Sequence, residues 1–383
     1  MKKVCVVIGS RANYSSIKSA MFAIKSHPQL ELQLVVGASA ILDRYGAVIG
    51  LIEKDGFIPN AKVHMLIEGE TPATMAKSTG LGLLELPTIF EILRPDVVLT
   101  VGDRFETMAT TLAAAYMNIT VAHTMGGEVS GTIDESIRHA VTKFSHIHFP
   151  ASNGARERII KLGELSQHVH MVGCPRIDLI ADILASSSKL KDDELFKTGV
   201  GNKFNLEEPF VLVSQHPVTT EYGVGEHQIL KTLEAVKNLN LPAIVLWPNS
   251  DAGSDDISRG IRKWREKGLD KSMHFFKNLP ISTYVKLMEK TSCLIGNSSS
   301  GIREGAFIGT PVVNIGTRQN ARDRGSNVID VDYDELEIRT AIDKQVLHGK
   351  YAMNPIYGDG NAGQRIAEIL VKEEVNIQKC ITY

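Results

Sequence analysis

The amino-acid sequence predicts an α/β protein made of two doubly wound, Rossmann-like domains, each a parallel sheet covered by helices. Three observations predict it. Apolar runs and helical patterns alternate along most of the chain. The apolar runs are short, continuous and bounded by Gly, Asp or Pro, as strands buried on both faces are. Finally, 383 residues exceed what one hydrophobic core usually serves.

In chain order, "KVCVVIG" reads as the first strand, "NYSSIKSAMFAIKSH" as a helix and "LELQLVVG" as the second strand. "DVVLTVG" follows, then a helix from about Phe105 to Met117 and the strand "NITVAHT". A second array begins at "PFVLVSQ", with a helix across 226–238, the strand "LPAIVLWPN", a helix near Ile257–Lys267 and the strand "MHFF". "TYVKLMEKT" is helical, "SCLIGN" is a strand, a helix starts at "SSGIREGAF", and "TPVVNIG" closes the set. The polar stretch from Ser186 to Glu208 separates the arrays, and Gly173 and Pro175 mark a hinge at "VGCPRID". The expected division is 1–175, 176–360 and a C-terminal helical segment, 361–383, packing back on the first domain. Doubly wound sheets take ligands beyond the C-terminal ends of their strands, so an interdomain cleft is the expected active site.

Composition narrows the function. A formal net charge of −2 offers no global field for nucleic acid or a membrane surface, so an anionic ligand must be held by local arginines and helix ends. Cys5, Cys174, Cys293 and Cys380 lie far apart without a CxxC pair, which predicts free thiols in a reducing compartment. No apolar run approaches the roughly 20 residues of a membrane span, and "MKKVCVVIGS" is too short for a signal peptide. A cytoplasmic protein is expected.

The polar motifs fall just after strands. "IGNSSSGIREGAF" places Ser298, Ser299, Ser300 and Gly301 at a helix start, an anion site by its N–H groups and hydroxyls, with Glu304 placed for vicinal ribose hydroxyls. A simple serine N-cap is the alternative. The motif is neither GxGxxG, a Walker sequence nor a GxSxG elbow. Arg318, Arg322 and Arg324 follow the next strand and are candidates for bidentate phosphate binding. His216 sits after "VLVSQ", Asn249 after "AIVLWP", and Arg11 after the first strand. "VGDRFETM" delivers Asp103 and Arg104 off a strand. The stretch "HTMGGEVSGTIDESIRH" adds His123, Glu128, Asp134, Arg138 and His139, with Asp134/Arg138 and Glu135/His139 each sharing a helix face. Carboxylates converging from several loops suit proton abstraction and delivery. His146 and His148 alternate on a strand without partners for a tetrahedral set, so no metal is expected.

"VGDRFET", "HTMGGEVSGTIDESIRHAVTKFSHIH", "VGCPRID", "WPNSDAGS" and "GNSSSGIREG" resemble the hydrolysing UDP-N-acetylglucosamine 2-epimerases of the bacterial sialic-acid pathway and of the animal bifunctional enzyme. The likeness runs over nearly the whole chain. It implies a GT-B arrangement of the two domains, with UDP gripped mainly by the C-terminal one. It also implies a reaction: UDP leaves by elimination across C1–C2, and water adds to the 2-acetamidoglucal while C2 is reprotonated on the opposite face. N-acetylmannosamine and UDP are the products, without a cofactor. Asp103 and Asp134 then become the acid/base pair, with Glu128 and His139 near them. His216 and an arginine meet the leaving diphosphate. Arg11, Arg104, Asn249, the serine run, Glu304, Arg318 and Arg322 bind UDP and sugar. One position departs from the family: Met125 stands where the bifunctional enzymes carry glutamate in a His-Ile-Glu-Gly-Gly-Glu pattern. The same chemistry on a UDP-linked diacetamido-trideoxyhexose is the near alternative. A non-hydrolysing epimerase, a GT-B glycosyltransferase and a nucleotide-sugar sensor are more distant ones. A homo-oligomer, dimer or tetramer, is expected.

Overall fold

The computed structural model describes residues 1–45, 47–68, 71–129, 133–187, 190, 192–248 and 253–382. The chain divides into two compact units. The N-terminal unit takes the chain to Leu179 and again from Gly358, and the C-terminal unit takes Ile180–Tyr357.

The N-terminal unit runs β1 (Lys2–Ile8), α1 (Arg11–Ser26), β2 (Leu30–Gly37), α2 (Val48–Lys54), β3 (Ala61–Val63), α3 (Pro72–Leu93) and β4 (Val97–Val101). It continues with α4 (Phe105–Tyr116), β5 (Thr120–Thr124), α5 (Ile133–Phe144), β6 (Ile147–Phe149), α6 (Asn153–Lys161) and the start of α7 (Pro175–Ala185). Among the described residues its sheet has six strands in the order β3-β2-β1-β4-β5-β6, all parallel. The order reverses between β1 and β4, which makes the crevice at their C-terminal ends the ligand position of this fold. Every residue of β4 is buried, as a central strand covered on both faces requires.

Helix α4 is built on small residues. Thr110 and Thr111 turn their hydroxyls back to the carbonyls of Glu106 and Thr107, at 2.8 Å each, so they sit buried without an open polar group.

The C-terminal unit continues with α8 (Asp192–Leu195), β7 (Val200–Gly201), β8 (Val211–Ser214), α9 (Gly225–Lys237), β9 (Ala243–Leu246), α10 (Ser254–Glu266) and β10 (Met273–Phe276). Then come α11 (Ile281–Lys290), β11 (Cys293–Gly296), α12 (Ser299–Ile302), α13 (Glu304–Ile308), β12 (Val312–Ile315), β13 (Val328–Val331) and α14 (Glu335–His348). Its described sheet has seven strands, β13-β12-β11-β8-β9-β10-β7, parallel except for β7. Helix α10 buries Ile257, Gly260, Ile261 and Trp264 on one face, the spacing of an amphipathic helix.

Two expectations need correction. "TPVVNIG" does not close the second array: β13 adds one more parallel strand, missed because its sequence VIDV is only half-buried at the sheet edge. The stretch 186–208 is more than a separator. It supplies edge strand β7, and buries Phe196 against Phe204, His274 and Phe276.

The last helix, α15 (Ala362–Lys372), belongs to the N-terminal unit, where Ile366, Ala367 and Leu370 join one apolar cluster with Ile17, Ala20, Met21 and Ile24 of α1. The two helices touch closely enough that a β-carbon on Gly363 would lie 2.6 Å from the Ser19 carbonyl carbon. Asp178, from α7, caps α15 at a distance in sequence: it accepts the N–H of Ala362 at 3.0 Å and of Gly363 at 2.7 Å, and the Ser19 hydroxyl at 2.8 Å. Cys5, Cys174 and Cys293 are buried and Cys380 is exposed, all as free thiols. Among the described residues no helix is long and apolar enough to cross a membrane.

Candidate active site

The site residues of the N-terminal unit sit where strands end. Asp103 follows β4 and Glu128 follows β5, while Asp134, Arg138 and His139 ride on α5. Arg138 gathers this corner. Its Nε donates to Asp103 Oδ2 at 2.8 Å, its Nη2 donates to the same oxygen, and its Nη1 donates to the Glu128 carbonyl at 2.6 Å. The guanidinium side chain is 4% exposed against 25% for Asp103, so a buried cation holds a carboxylate that still reaches solvent. His139 lies 3.5 Å from Glu135, the partner one turn earlier.

His123, inside β5, fixes the loop that carries Asp103. Its Nε2 donates to the Gly102 carbonyl at 2.8 Å, which leaves Nδ1 to accept from the Thr142 hydroxyl at 3.4 Å. Burial pushes this imidazole down to about 3, against the pull of the Gly102 carbonyl, so it is a neutral tether. Gly102 turns with φ of +73°, a conformation that suits glycine. Met125 adopts φ of +63° at the end of β5 and packs its side chain on the apolar core.

Glu106 is the carboxyl the sequence reading passed over. Two residues into α4 it is 3% exposed, and burial raises its pKa. It lies against Gly9, where a β-carbon would come within 2.3 Å of its Cγ. Arg104 Nε is 3.2 Å from Glu106 Oε1, and the Arg104 side chain is half-exposed. Arg11 opens α1 with its side chain exposed.

In the C-terminal unit Asn297 organises the loops. Its Oδ1 accepts the His216 N–H at 2.7 Å and its Nδ2 donates to the His216 carbonyl at 2.9 Å, so two loops share one amide. The His216 Nε2 lies 3.4 Å from the Ser214 hydroxyl. The Asn297 carbonyl accepts from Arg318 at 3.3 Å and Gln319 at 2.9 Å.

The serine run differs from the expectation of one open helix start. The helix is broken at Arg303 into α12 and α13, and the hydroxyls are partly engaged within the protein. Ser298 Oγ caps the Ser300 N–H at 3.4 Å and lies 2.8 Å from Ser300 Oγ, which in turn lies 2.6 Å from the Tyr284 hydroxyl. Ser300 therefore faces inward, while Ser298 and Ser299 keep partial exposure. Gly301 is buried between Val312 and Leu294 and Glu304 is 4% exposed. Arg324 is spoken for by Asp330 at 2.9 Å, and Arg322 lends it a carbonyl at 3.0 Å. Asn249 lies outside the described residues.

His148 lies on β6 while His146 falls just before it, so the two do not alternate on one strand as expected; both have structural partners. His146 takes the Val121 N–H at 3.0 Å and donates to the Ile377 carbonyl at 3.0 Å. His148 lies 3.1 Å from Glu164, which Lys143 also meets at 2.6 Å.

Comparison with known proteins gives this arrangement its family. The family model described as UDP-N-acetylglucosamine 2-epimerase matches residues 22–371. The chain is 32% identical to a UDP-N,N'-diacetylbacillosamine 2-epimerase (hydrolyzing) of Legionella pneumophila, with 100% of both chains covered. It is 30% identical to a UDP-N-acetylglucosamine 2-epimerase of Neisseria meningitidis, over 98% of this chain and 96% of the relative. In fold it is similar to the crystal structure of the Neisseria meningitidis UDP-GlcNAc 2-epimerase bound to UDP-GlcNAc, with a TM-score of 0.80, 19% identity and 97% and 100% of the two chains covered. The protein is a member of the UDP-N-acetylglucosamine 2-epimerase family.

Proposed function

We propose that the protein is a hydrolysing 2-epimerase acting on a UDP-linked diacetamido-trideoxyhexose. The observation that carries this reading is the end-to-end 32% identity to an enzyme named a UDP-N,N'-diacetylbacillosamine 2-epimerase (hydrolyzing). A Campylobacter jejuni relative, 31% identical over 88% of the chain, is named a GDP/UDP-N,N'-diacetylbacillosamine 2-epimerase (hydrolyzing). The second reading is UDP-N-acetylglucosamine converted to N-acetylmannosamine for sialic-acid synthesis; the name of the Neisseria meningitidis relative favours its UDP-sugar only.

The chemistry assigned to the residues is the same for both sugars. The proton on C2 is a poor acid, so departure of UDP must carry much of the elimination. His216, Arg318 and Arg322 meet the diphosphate, with Ser298, Ser299 and the backbone at Ser300–Gly301 as donors and Glu304 on the ribose. Arg11 and Arg104 add charge from the N-terminal unit. Asp103, held by Arg138, and Asp134 on α5 are the proton-transfer groups on the sugar, with Glu128 and His139 beside them. Water adds at C1 and UDP is released.

Proton NMR in deuterated water tests the reading with both UDP-sugars. Free diacetamido-trideoxyhexose of inverted C2 configuration, deuterated at C2, together with UDP, is the expected product. Faster conversion of UDP-N-acetylglucosamine would select the second reading. A C2-epimer still linked to UDP would refute hydrolysis.

A further inference from the structure

We propose that Glu106 is the general acid that returns a proton to C2 of the sugar. This rests on the elimination–hydration reading above, and concerns its second half. Once UDP has left, the sugar is an enol ether, and adding water to it requires protonation at C2. A carboxylate already neutralised by a guanidinium is a poor source of that proton, and this is the state of Asp103 against Arg138. His123 commits its one N–H to the Gly102 carbonyl, and Met125 has no proton to give.

Glu106 differs from these groups in place and in partners. It occupies the end of the β1–β4 crevice, where the strand order reverses, with its Cγ filling the space in front of Gly9. Its side chain is 4% exposed, and among the described residues no other side chain makes a well-formed hydrogen bond to its carboxyl oxygens. Its one side-chain ion-pair partner among the described residues is the half-exposed Arg104, 3.2 Å from Oε1, and a buried carboxyl so lightly satisfied asks for a functional reason. The charged groups facing it are Arg104 on its own loop, Asp103 at the end of β4 and Asp134 on α5. Burial, with the two aspartates, favours the neutral acid, and Arg104 opposes them. Two carboxyls three residues apart thus differ in surroundings: Asp103 is clamped by two donors of the buried Arg138, while Glu106 is buried against Gly9 and meets only the half-exposed Arg104 at 3.2 Å. Such a pair divides base from acid.

Arg104 lies over Oε1 with a half-exposed side chain. The step then balances. The Glu106 O–H bond breaks as the C1=C2 π pair forms the new C2–H bond, leaving C1 cationic. Water closes on C1, and its surplus proton passes to the Glu106 carboxylate, which restores the acid.

The test compares wild type, Glu106→Gln and Glu106→Asp on the UDP-linked diacetamido-trideoxyhexose, following UDP and sugar separately by NMR. For Glu106→Gln we expect UDP release within about threefold of wild type, with hydration slowed by about 100-fold or more, so that the unsaturated sugar accumulates. Glu106→Asp should restore part of the hydration rate. Saturated sugar formed at the wild-type rate by Glu106→Gln would overturn the proposal. So would UDP release and hydration falling together, which marks a merely structural role. A wild type that releases no UDP would instead remove the underlying reading, and this inference with it.

Discussion

Arg138 carries three tasks with one planar group: it neutralises Asp103, orients it through two donors on one oxygen, and ties the Glu128 backbone to α5. Lysine has no such fork and would satisfy one of them. The carboxylate it holds is one of the proposed proton-transfer groups. Asp103→Asn should lower turnover by about 100-fold or more while UDP affinity stays near normal, because the proposed nucleotide contacts lie mainly in the C-terminal unit. Turnover by continuous UDP release and affinity by calorimetry check this. Full-speed turnover would remove Asp103 from the mechanism. At the same scale, Asn297 is a positioning residue within the "GNSSSGIREG" stretch whose role its residue type does not announce. Its value lies in bonding both the N–H and the C=O of His216 from 81 residues away.

Among the elements, α5 and α15 show how the N-terminal unit is held. Helix α5 carries Asp134, Arg138 and His139, and its C-terminal end is closed by Lys379. That ammonium donates to the carbonyls of Lys143, at 2.9 Å, and Ser145, and pairs with Glu164 at 2.5 Å. A cation there meets the negative end of the helix. Helix α15 lacks a side-chain cap of its own and takes Asp178 instead. Asp178→Ala removes the acceptor for two N–H groups and the Ser19 hydroxyl, all buried or half-buried. It should destabilise the fold by about 2 kcal/mol. A urea titration measures this, and an unchanged midpoint would show that water replaces the cap without cost.

At the scale of the whole molecule, ionisation links stability to pH. Burial lowers His123 to about 3 and His148 to about 4, and lowers His146 as well. An unfolded chain takes up these protons near pH ~6.5, whereas the folded one does not. The stability these histidines contribute is therefore present above that pH and lost as pH falls toward about 4. Glu164 adds to the loss below its ordinary range: burial raises it, but bonds from His148, Lys143 and Lys379 outweigh burial and hold it at about 2. Glu106 acts in the opposite sense, since its raised pKa contributes stability at acid pH that is lost as pH rises. Three histidines against one carboxyl predict a lower urea midpoint at pH 5 than at pH 7.5. An equal or higher midpoint at pH 5 would mean that these rings are hydrated and free to charge.

Much of this protein is legible in its residues alone. The alternation of apolar runs and helical patterns determined two parallel-sheet α/β arrays, because strands buried on both faces need unbroken apolar sequence and the connecting helices need one apolar face. The motifs after the strands determined the family and most of the proton-transfer candidates, because sheet geometry delivers loop residues to one edge. Tertiary structure alone decided the partners: Arg138 to Asp103, Asn297 to His216, Tyr284 to Ser300, Asp178 to α15. These bonds join residues 16 to 185 positions apart, and side-chain type does not encode which distant group it will meet. Edge strand β13 escaped notice for a related reason, since a half-buried strand carries a weak apolar signal. Glu106 was the least legible of all. A glutamate in the first turn of a helix reads as ordinary dipole complementation, and only the closure of Gly9 over it turns it into a buried acid.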